Sequence, residues 1–217
     1  MSDKKEIYTP GEGEYTEKKS RFLGIVSSVK NEEEAVAFIE AKRKQYHDAR
    51  HNCSAYILED ENGRILSRYS DDGEPQGTAG MPILEVLEGA HLVNTICVVT
   101  RYFGGVLLGT GGLVRSYTNA AKAAIDNAAL LEKHEGLPLT ITTDYNGYGR
   151  IEYILRQEDI PIADTSYAVD VDISCVIPFD KKESLEAKLS EATGGSVLLD
   201  YGEKRSYGLY EGRIIWL

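Results

Sequence analysis

The sequence has few cysteines, and their arrangement excludes the common cysteine-based scaffolds. Cys53, Cys97 and Cys175 are the only three, they lie far apart along the chain, and each stands among strand-forming residues. A disulfide framework normally needs an even number of cysteines, and the usual zinc or redox sites need a CxxC spacing, which is missing here. We therefore predict three buried, reduced thiols.

Long hydrophobic runs are also absent. No stretch approaches the roughly 20 apolar residues that a membrane-spanning helix needs. Residues 1–10, MSDKKEIYTP, lack the apolar core of a secretory signal. We predict a cytoplasmic protein with no membrane partner, because the hydrophobic fraction of 42% and the charged fraction of 27% are ordinary for a folded globular chain.

Positive charge is scarce. The chain has 24 lysines and arginines against 35 aspartates and glutamates, and its formal net charge is -11. A protein that coats nucleic acid through bulk electrostatics must neutralise many phosphates, which this composition does not favour. Any contact with nucleic acid is therefore expected to be local.

Familiar catalytic motifs are missing as well. The sequence has no GxSxG nucleophile elbow, no HExxH helix and no glycine-rich loop that ends in Gly-Lys-Ser or Gly-Lys-Thr. These absences remove the commonest hydrolase and nucleotide-binding classes. We predict no catalytic residue, no metal and no cofactor.

Hydrophobic periodicity divides the chain into two domains, predicted as 1–136 and 137–217. In the first, Asn31 and Glu34 have the spacing of a helix cap, and Asn62 with Gly63 predicts a hairpin turn. The predicted strands are 22–29, 53–58, 65–69 and 94–103, and the predicted helices follow Asn31 and span 81–87 and 113–130.

The second domain reads as β α β β α β, the order of a ferredoxin-like fold. Its predicted strands begin at Leu139 and Ile162, a third spans 168–176, and the last spans 196–200. Gly194 and Gly195 predict the end of the second helix. The fold class predicted from these patterns is therefore α+β.

Five glycines crowd between a buried strand and an alanine-rich helix, a segment we call the glycine corner (residues 104–112). Glycine lets the backbone approach a ligand closely, and the first amides of a helix have no intrahelical partner, so such a corner attracts anions. The alternative is a tight turn whose glycines only permit close packing. The predicted phosphate- or nucleic-acid-binding residues are Arg101, Tyr102, Gly104, Gly105, Gly109, Gly111, Gly112 and Arg115.

A second polar segment, residues 70–80, we call the acidic loop. Asp71, Asp72 and Glu74 offer oxygen ligands of the kind that magnesium prefers, but the calcium-loop spacing is absent. The favoured interpretation is a shaped loop that caps the following helix. If this loop meets the glycine corner in space, the two should form a pocket.

Histidines cluster nearby. His47 and His51 are four residues apart, as on one helix face, and Asp48, Arg50 and Cys53 lie beside them. A metal or acid-base cluster is one interpretation. The favoured one is a helix C-terminus, which attracts histidine and arginine through its dipole.

Four segments of this chain are similar to the bacterial members of the IMPACT family. They are KKSRFLG (18–24), HDARHNCSAY (47–56), SDDGEPQGTAGMPIL (70–84) and VVTRYFGGVLLGTGGLVRSY (98–117). The resemblance implies that the first domain is a mixed-sheet, ribosomal-protein-like, two-layer α/β domain, like the tip domain of elongation factor G. It implies that the second is like the ferredoxin-like carboxyl-terminal domain of the same factor.

The resemblance also implies a role in translation or its regulation. The leading hypothesis is a binding protein that contacts RNA or a ribosomal surface through the glycine corner. The alternative is an enzyme that acts on a small phosphorylated or nucleotide-like substrate between the acidic loop and the corner. A protein-binding scaffold that uses the ferredoxin-like sheet stays open as a third possibility.

Overall fold

The computed structural model describes residues 4–210 and 212–217. The chain forms two compact α+β units, 4–131 and 132–217. The predicted boundary after residue 136 falls inside a strand that begins at His134, because this strand extends further toward the amino terminus than its apolar pattern suggests. Within the described residues, no helix is both long enough and apolar enough to cross a membrane.

The first unit is a five-stranded sheet with three helices. Its elements are β1 (Lys5–Thr9), β2 (Gly11–Glu17), β3 (Ser20–Ser28), α1 (Glu32–Gln45), β4 (His51–Glu59), β5 (Ile65–Ser70), α2 (Gly80–Gly89), β6 (Thr95–Tyr102), α3 (Thr110–Asp126) and β7 (Ala129–Glu132). The strand order is β2-β3-β6-β4-β5, and every neighbouring pair is antiparallel. The predicted mixed sheet is therefore wrong. Strand β1 pairs separately with β7.

Helices cover both faces of this sheet. Alternate residues of β4 and β6 point to opposite sides, as the pleat of a strand requires. Cys53, Ala55 and Cys97 join the large core beneath α2 and α3, whereas Tyr56 and Ile96 join a smaller core beneath α1. The predicted two-layer arrangement is therefore wrong. Strands β4 and β6 are buried on both faces, and helices pack against each face.

The cap predicted for α1 is confirmed. The Asn31 side chain accepts a hydrogen bond of 2.8 Å from the Glu34 amide, and the Glu34 carboxylate accepts one of 2.8 Å from the Lys30 amide. These bonds satisfy amide groups that the helix itself cannot satisfy.

Glycines bring α3 into direct contact with the sheet. A Cβ atom on Gly11 would lie 2.1 Å from the Ala124 carbonyl oxygen, and one on Gly24 would lie 2.3 Å from the Ala120 carbonyl oxygen. Real Cβ atoms do not approach backbone atoms this closely. Glycine on the strands and alanine on α3 therefore set the separation between sheet and helix, and this contact places the amino terminus of α3.

The second unit consists of β8 (His134–Thr143), α4 (Tyr145–Gln157), β9 (Ile162–Tyr167), β10 (Val171–Ile177), a 3-10 turn (Phe179–Lys181), α5 (Lys182–Thr193), β11 (Leu198–Tyr201), β12 (Arg205–Tyr210) and β13 (Arg213–Trp216). One edge of β8 pairs with β10, and its other edge is divided between two partners. Its first part, from His134 to Gly136, pairs with β12, and its later part, from Leu139 to Thr142, pairs with β11. The backbone of the helix-ending Gly194 is left-handed, as the sequence predicted.

Several predicted bounds need correction. Helix α3 ends at Asp126 instead of residue 130, because β7 follows it as a strand. The sequence pattern did not predict four strands. Strands β1 and β2 lie in a polar segment near the amino terminus, and the hairpin of β12 and β13 follows the strand that was predicted to be the last.

Candidate functional site

The glycine corner connects β6 to α3, and two of its glycines have conformations that few other residues adopt. Gly105 and Gly109 have φ angles of 82° and 71°, in the left-handed region. Gly104 serves a packing role instead. A Cβ atom there would lie 2.1 Å from the carbonyl carbon of Lys19, and the Gly104 amide donates to the Ser20 hydroxyl at 3.1 Å. The close-packing alternative is thus correct for Gly104.

Among the described residues, no side chain caps the amino terminus of α3. Gly109 is the N-cap residue, and the first turn contains no acidic side chain. Thr110 and Gly111 are exposed. Because the first amides of a helix have no intrahelical acceptor, they are available to an anion at this position.

The acidic loop and the glycine corner meet, and both line an open cavity of about 380 Å³. The condition that the sequence set for a pocket is therefore met. The cavity is lined by Arg50, His51, Gly73, Glu74, Pro75, Arg101, Phe103, Leu107, Leu108, Gly109, Thr110 and Leu113. Arg115, which the sequence placed beside Arg101 as a second clamp, is exposed and is not among the lining residues.

Arg101 is buried and ion-paired, so it does not present the exposed guanidinium that the sequence predicted, and it lines the cavity instead. Its Nη1 atom donates to Glu74 Oε1 at 2.6 Å, and the two side chains are only 7% and 3% exposed. The Tyr117 hydroxyl donates to the same oxygen at 2.8 Å. The guanidinium packs over the rings of Phe22 and Phe103, and its buried Nε has no hydrogen-bond partner among the described residues.

The carboxylates of the acidic loop are occupied by protein donors. Asp71 accepts from the amides of Gly77, Ala79 and Gly80 at 2.8 to 3.1 Å and so caps α2. Asp72 accepts from the Asn52 amide at 2.6 Å and pairs with Arg43 at 2.8 Å. Within the described residues, no group of three or more His, Cys, Asp or Glu side chains is arranged to hold a metal ion.

Asp71→Ala is expected to destabilise the first unit by about 2 kcal/mol, because three backbone donors lose a charged acceptor. Asp71→Asn should cost less, since the amide oxygen can still accept. Urea unfolding monitored by circular dichroism measures both. Equal stability of Asp71→Ala and the parent would show that water replaces the carboxylate without loss.

The histidine cluster is not on a helix face. Helix α1 ends at Gln45, and His51 is the first residue of β4. The His51 Nδ1 atom lies 2.8 Å from the Asp72 carbonyl oxygen, so this nitrogen carries the proton and donates. Nε2 lies 3.9 Å from Glu74 Oε1. The acidic loop thus fixes the orientation of the ring at the cavity wall.

The three thiols are free and buried, as the sequence predicted. Burial raises the pKa of Cys97 and of Cys175 to about 12, and it also raises the pKa of Cys53 strongly. A protonated thiol is a poor nucleophile. Although the Cys53 sulfur lies near the cavity network, 3.3 Å from the Tyr117 hydroxyl oxygen, it is therefore a packing group.

Sequence reasoning missed two features of the site. The turn between β2 and β3 places the exposed Lys18 and Lys19 against the corner, next to Gly104. The buried pairing of Glu74 with Arg101 and Tyr117 joins residues from three separate elements. Strand β3 pairs with β6 so that Arg21 lies opposite Tyr102. The turn before β3 and the corner after β6 therefore lie at the same end of this pair, which would have indicated the first feature. Tyr102, one of the predicted binding residues, is half-buried and donates to Asp48 at 2.9 Å.

Comparison with known proteins shows which family the chain belongs to. Residues 18–125 match the Impact N-terminal domain. The IMPACT family member YvyE of Bacillus subtilis (strain 168) is 37% identical over 193 residues, which cover 89% of this chain and 88% of the relative. The chain belongs to the IMPACT family. The IMPACT family member YigZ of Escherichia coli (strain K12) is 36% identical over 182 residues, which cover 84% of this chain and 89% of the relative.

The second unit of this IMPACT family protein matches a domain of unknown function, DUF1949, over residues 141–196. A crystal structure of a hypothetical protein resembles the whole chain, with a TM-score of 0.59 and 34% sequence identity. The match covers 94% of this chain and 98% of the other. Similarity to bacterial relatives thus extends over both units.

Proposed function

We propose that this IMPACT family protein is a translation-associated regulatory protein that contacts RNA or a ribosomal surface through the glycine corner. The translation-associated role is what the family resemblance implies. The observation that supports the contact is an exposed, uncapped helix terminus flanked by exposed cations. The exposed Lys18 and Lys19 lie at the Gly104 end of the corner, and the exposed Arg115 lies beside Gly111 in α3, in a chain whose formal charge is -11.

The chemistry of this surface suits a nucleic-acid backbone. Lysines and arginines contact phosphates, and the amides of a helix terminus add oriented donors. Phe103 is 44% exposed and offers a face on which a base can stack. In this proposal Arg101 supports Phe103 from behind and does not touch RNA. Tyr102 stays a contact residue at the edge of the surface.

We also infer the finer fold assignments. The strand order β11-β8-β10-β9, with antiparallel neighbours and helices α4 and α5, supports a ferredoxin-like second unit. The likeness of the first unit to the tip domain of elongation factor G stays a proposal that the family resemblance supports. Ribosomes and RNA are the partners that these likenesses favour.

The RNA contact can be tested by removing two exposed cations. The double substitution Lys19→Gln and Arg115→Gln should weaken binding to a single-stranded oligoribonucleotide or to ribosomes about tenfold at low salt. The slope of log affinity against log salt should fall by about 1.4, because about 0.7 is expected for each lost phosphate contact on a single strand. Fluorescence anisotropy across a salt series measures both quantities.

A matched control removes the same charge elsewhere in the first unit. Lys44→Gln with Arg68→Gln changes exposed residues of α1 and β5, outside the corner. This control should bind as the parent does. The proposed surface is incorrect if the two double variants lose equal affinity, or if the corner variant keeps both its affinity and its salt slope.

The cavity favours a second candidate function, an enzyme that acts on a small phosphorylated or nucleotide-like substrate. His51 lines the cavity with its Nδ1–H directed to the Asp72 carbonyl, which leaves Nε2 as the nitrogen able to accept a proton. Thr110 supplies a hydroxyl to the same lining. No pairing between these two side chains marks either one as an activated nucleophile.

A further inference from the structure

The floor of the cavity contains a cation with unused hydrogen-bonding capacity. A guanidinium has five N–H donors, and Arg101 directs Nη1 to Glu74. Its Nε is buried without a partner among the described residues, although buried polar groups are nearly always paired. An acceptor supplied by a ligand in the cavity would complete the hydrogen bonding of this side chain after a small adjustment.

The rim of the cavity adds donors that do not depend on Arg101. Gly109 and Thr110 line the cavity at the start of α3, a helix of 17 residues whose first turn has neither a side-chain cap nor an acidic residue. The positive end of this helix therefore faces the cavity. Arg50, which is exposed, lines the same space.

The single carboxylate of the lining does not repel an anion strongly. Glu74 Oε1 already accepts from Arg101 and from the Tyr117 hydroxyl. Arg50 and the helix terminus then leave the cavity with an excess of positive charge. An anionic group is the favoured occupant.

The remaining walls are apolar, and the volume limits the size of the ligand. Phe103, Leu107, Leu108, Leu113 and Pro75 form these walls. A volume of about 380 Å³ lies near the lower end of the range for small-molecule sites, roughly 300 to 1,000 Å³. One phosphate and one attached ring system can share such a space, whereas a folded polymer cannot.

We propose that this cavity binds a phosphate monoester attached to a flat ring, at the size of a mononucleotide. This inference rests on the cavity of the second candidate function and names its ligand; it concerns binding and not a reaction. The phosphate lies at the amino terminus of α3 between Arg50 and Arg101, and the ring lies against Phe103 and the leucines. This site shares the amino terminus of α3 and Phe103 with the proposed RNA surface, but Arg50 and the apolar walls belong to the cavity, and neither Lys19 nor Arg115 lines it. The ligand is a free mononucleotide or the 5′-phosphorylated end of a strand, which carries the same group.

Calorimetry and thermal shift with the full chain test this proposal. Adenosine monophosphate at about 5 mM should raise the unfolding temperature, since a ligand that binds only the folded state stabilises it. Adenosine should give no shift, and inorganic phosphate a smaller one. A 5′-phosphorylated oligoribonucleotide and its 5′-hydroxyl counterpart are then tested as competitors of adenosine monophosphate. Competition by the phosphorylated strand alone would show that the site also binds the 5′-phosphate at the end of a strand. Failure of the phosphorylated strand to compete would assign the site to free monoesters.

Two variants examine the two sources of positive charge. Arg50→Glu should weaken binding of adenosine monophosphate about tenfold or more, and Arg68→Glu, on β5 outside the cavity, should not. Thr110→Pro removes one amide donor at the first helical position, where proline fits, and should weaken binding about fivefold. Thr110→Ala keeps that amide and removes only the hydroxyl, so it should weaken binding less than Thr110→Pro does.

The proposal is overturned if neither adenosine monophosphate nor phosphate shifts the unfolding temperature, if adenosine binds equally well, or if Arg50→Glu leaves affinity unchanged. Should Thr110→Pro not fold, the Arg50→Glu and Arg68→Glu pair decides the question. RNA binding by the Lys19 and Arg115 variant is measured separately. A negative result for RNA binding therefore does not decide whether the cavity binds adenosine monophosphate, and the reverse also holds.

Discussion

Gly24→Ala is expected to destabilise the first unit by about 3 kcal/mol or more and to lower its unfolding midpoint by roughly 10 °C. The added methyl group would lie 2.3 Å from the Ala120 carbonyl oxygen and 3.3 Å from the Ala124 Cβ. The first of these neighbours belongs to the backbone of α3. The helix as a whole must therefore move away from β3, and contacts along its length are lost.

Gly89→Ala is the matched control. Gly89 lies in the last turn of α2, where a Cβ atom would meet no atom within 4 Å. The same change should there be neutral or stabilise by about 0.5 kcal/mol, because alanine loses less backbone entropy than glycine. Thermal and urea unfolding followed by circular dichroism compare the two variants. Equal stability of the two would contradict the close contact between sheet and helix.

Glu74→Ala is expected to cost about 3 to 5 kcal/mol of stability, because it leaves the charge of Arg101 buried without its partner. The carboxylate also accepts from Tyr117, whose hydroxyl would lose its acceptor. Both side chains of the ion pair are more than nine-tenths buried, so water cannot replace the missing oxygen without opening the cavity floor.

A double-mutant cycle separates loss of the pair from loss of packing. Arg101→Met combined with Glu74→Leu should be far less destabilising than the sum of the two single changes, since no buried charge remains. Glu14→Gln breaks an exposed ion pair with Arg21 and should leave stability unchanged within error. Additive single effects would mean that Glu74 and Arg101 act independently, contrary to the 2.6 Å contact.

The sequence predicted those elements whose apolar pattern is strong. Strands β4 and β6 are almost wholly buried; β6 was predicted from its buried apolar run and β4 from alternation. The cap at Asn31 was predicted from its spacing with Glu34. The sequence predicted a pocket only on the condition that the acidic loop and the glycine corner meet in space. Two loops at the ends of different strands can meet only when the strand order places them together, and that order is not a local property.

The errors have identifiable physical causes. Strand β2, GEGEYTE, has the period of a strand, but its inward positions include Gly11 and Gly13, which hydrophobicity does not register. Arg101 was expected to be exposed because arginine usually is. Its burial depends on Glu74, 27 positions earlier in the sequence. A buried ion pair leaves no periodic signal, so only the tertiary structure reveals it.

The division of β8 between two partners has a consequence for solubility. The backbone groups of residues 134–136 pair with Arg205, Ser206 and Tyr207, and without that hairpin they would form an open sheet edge. Open edges recruit strands from other molecules and start aggregation. The carboxyl-terminal hairpin covers this stretch of β8 and makes β13 (Arg213–Trp216) the edge of the sheet in its place. A strand of four residues that begins with a charged side chain is a poorer template for pairing than a long, flat edge.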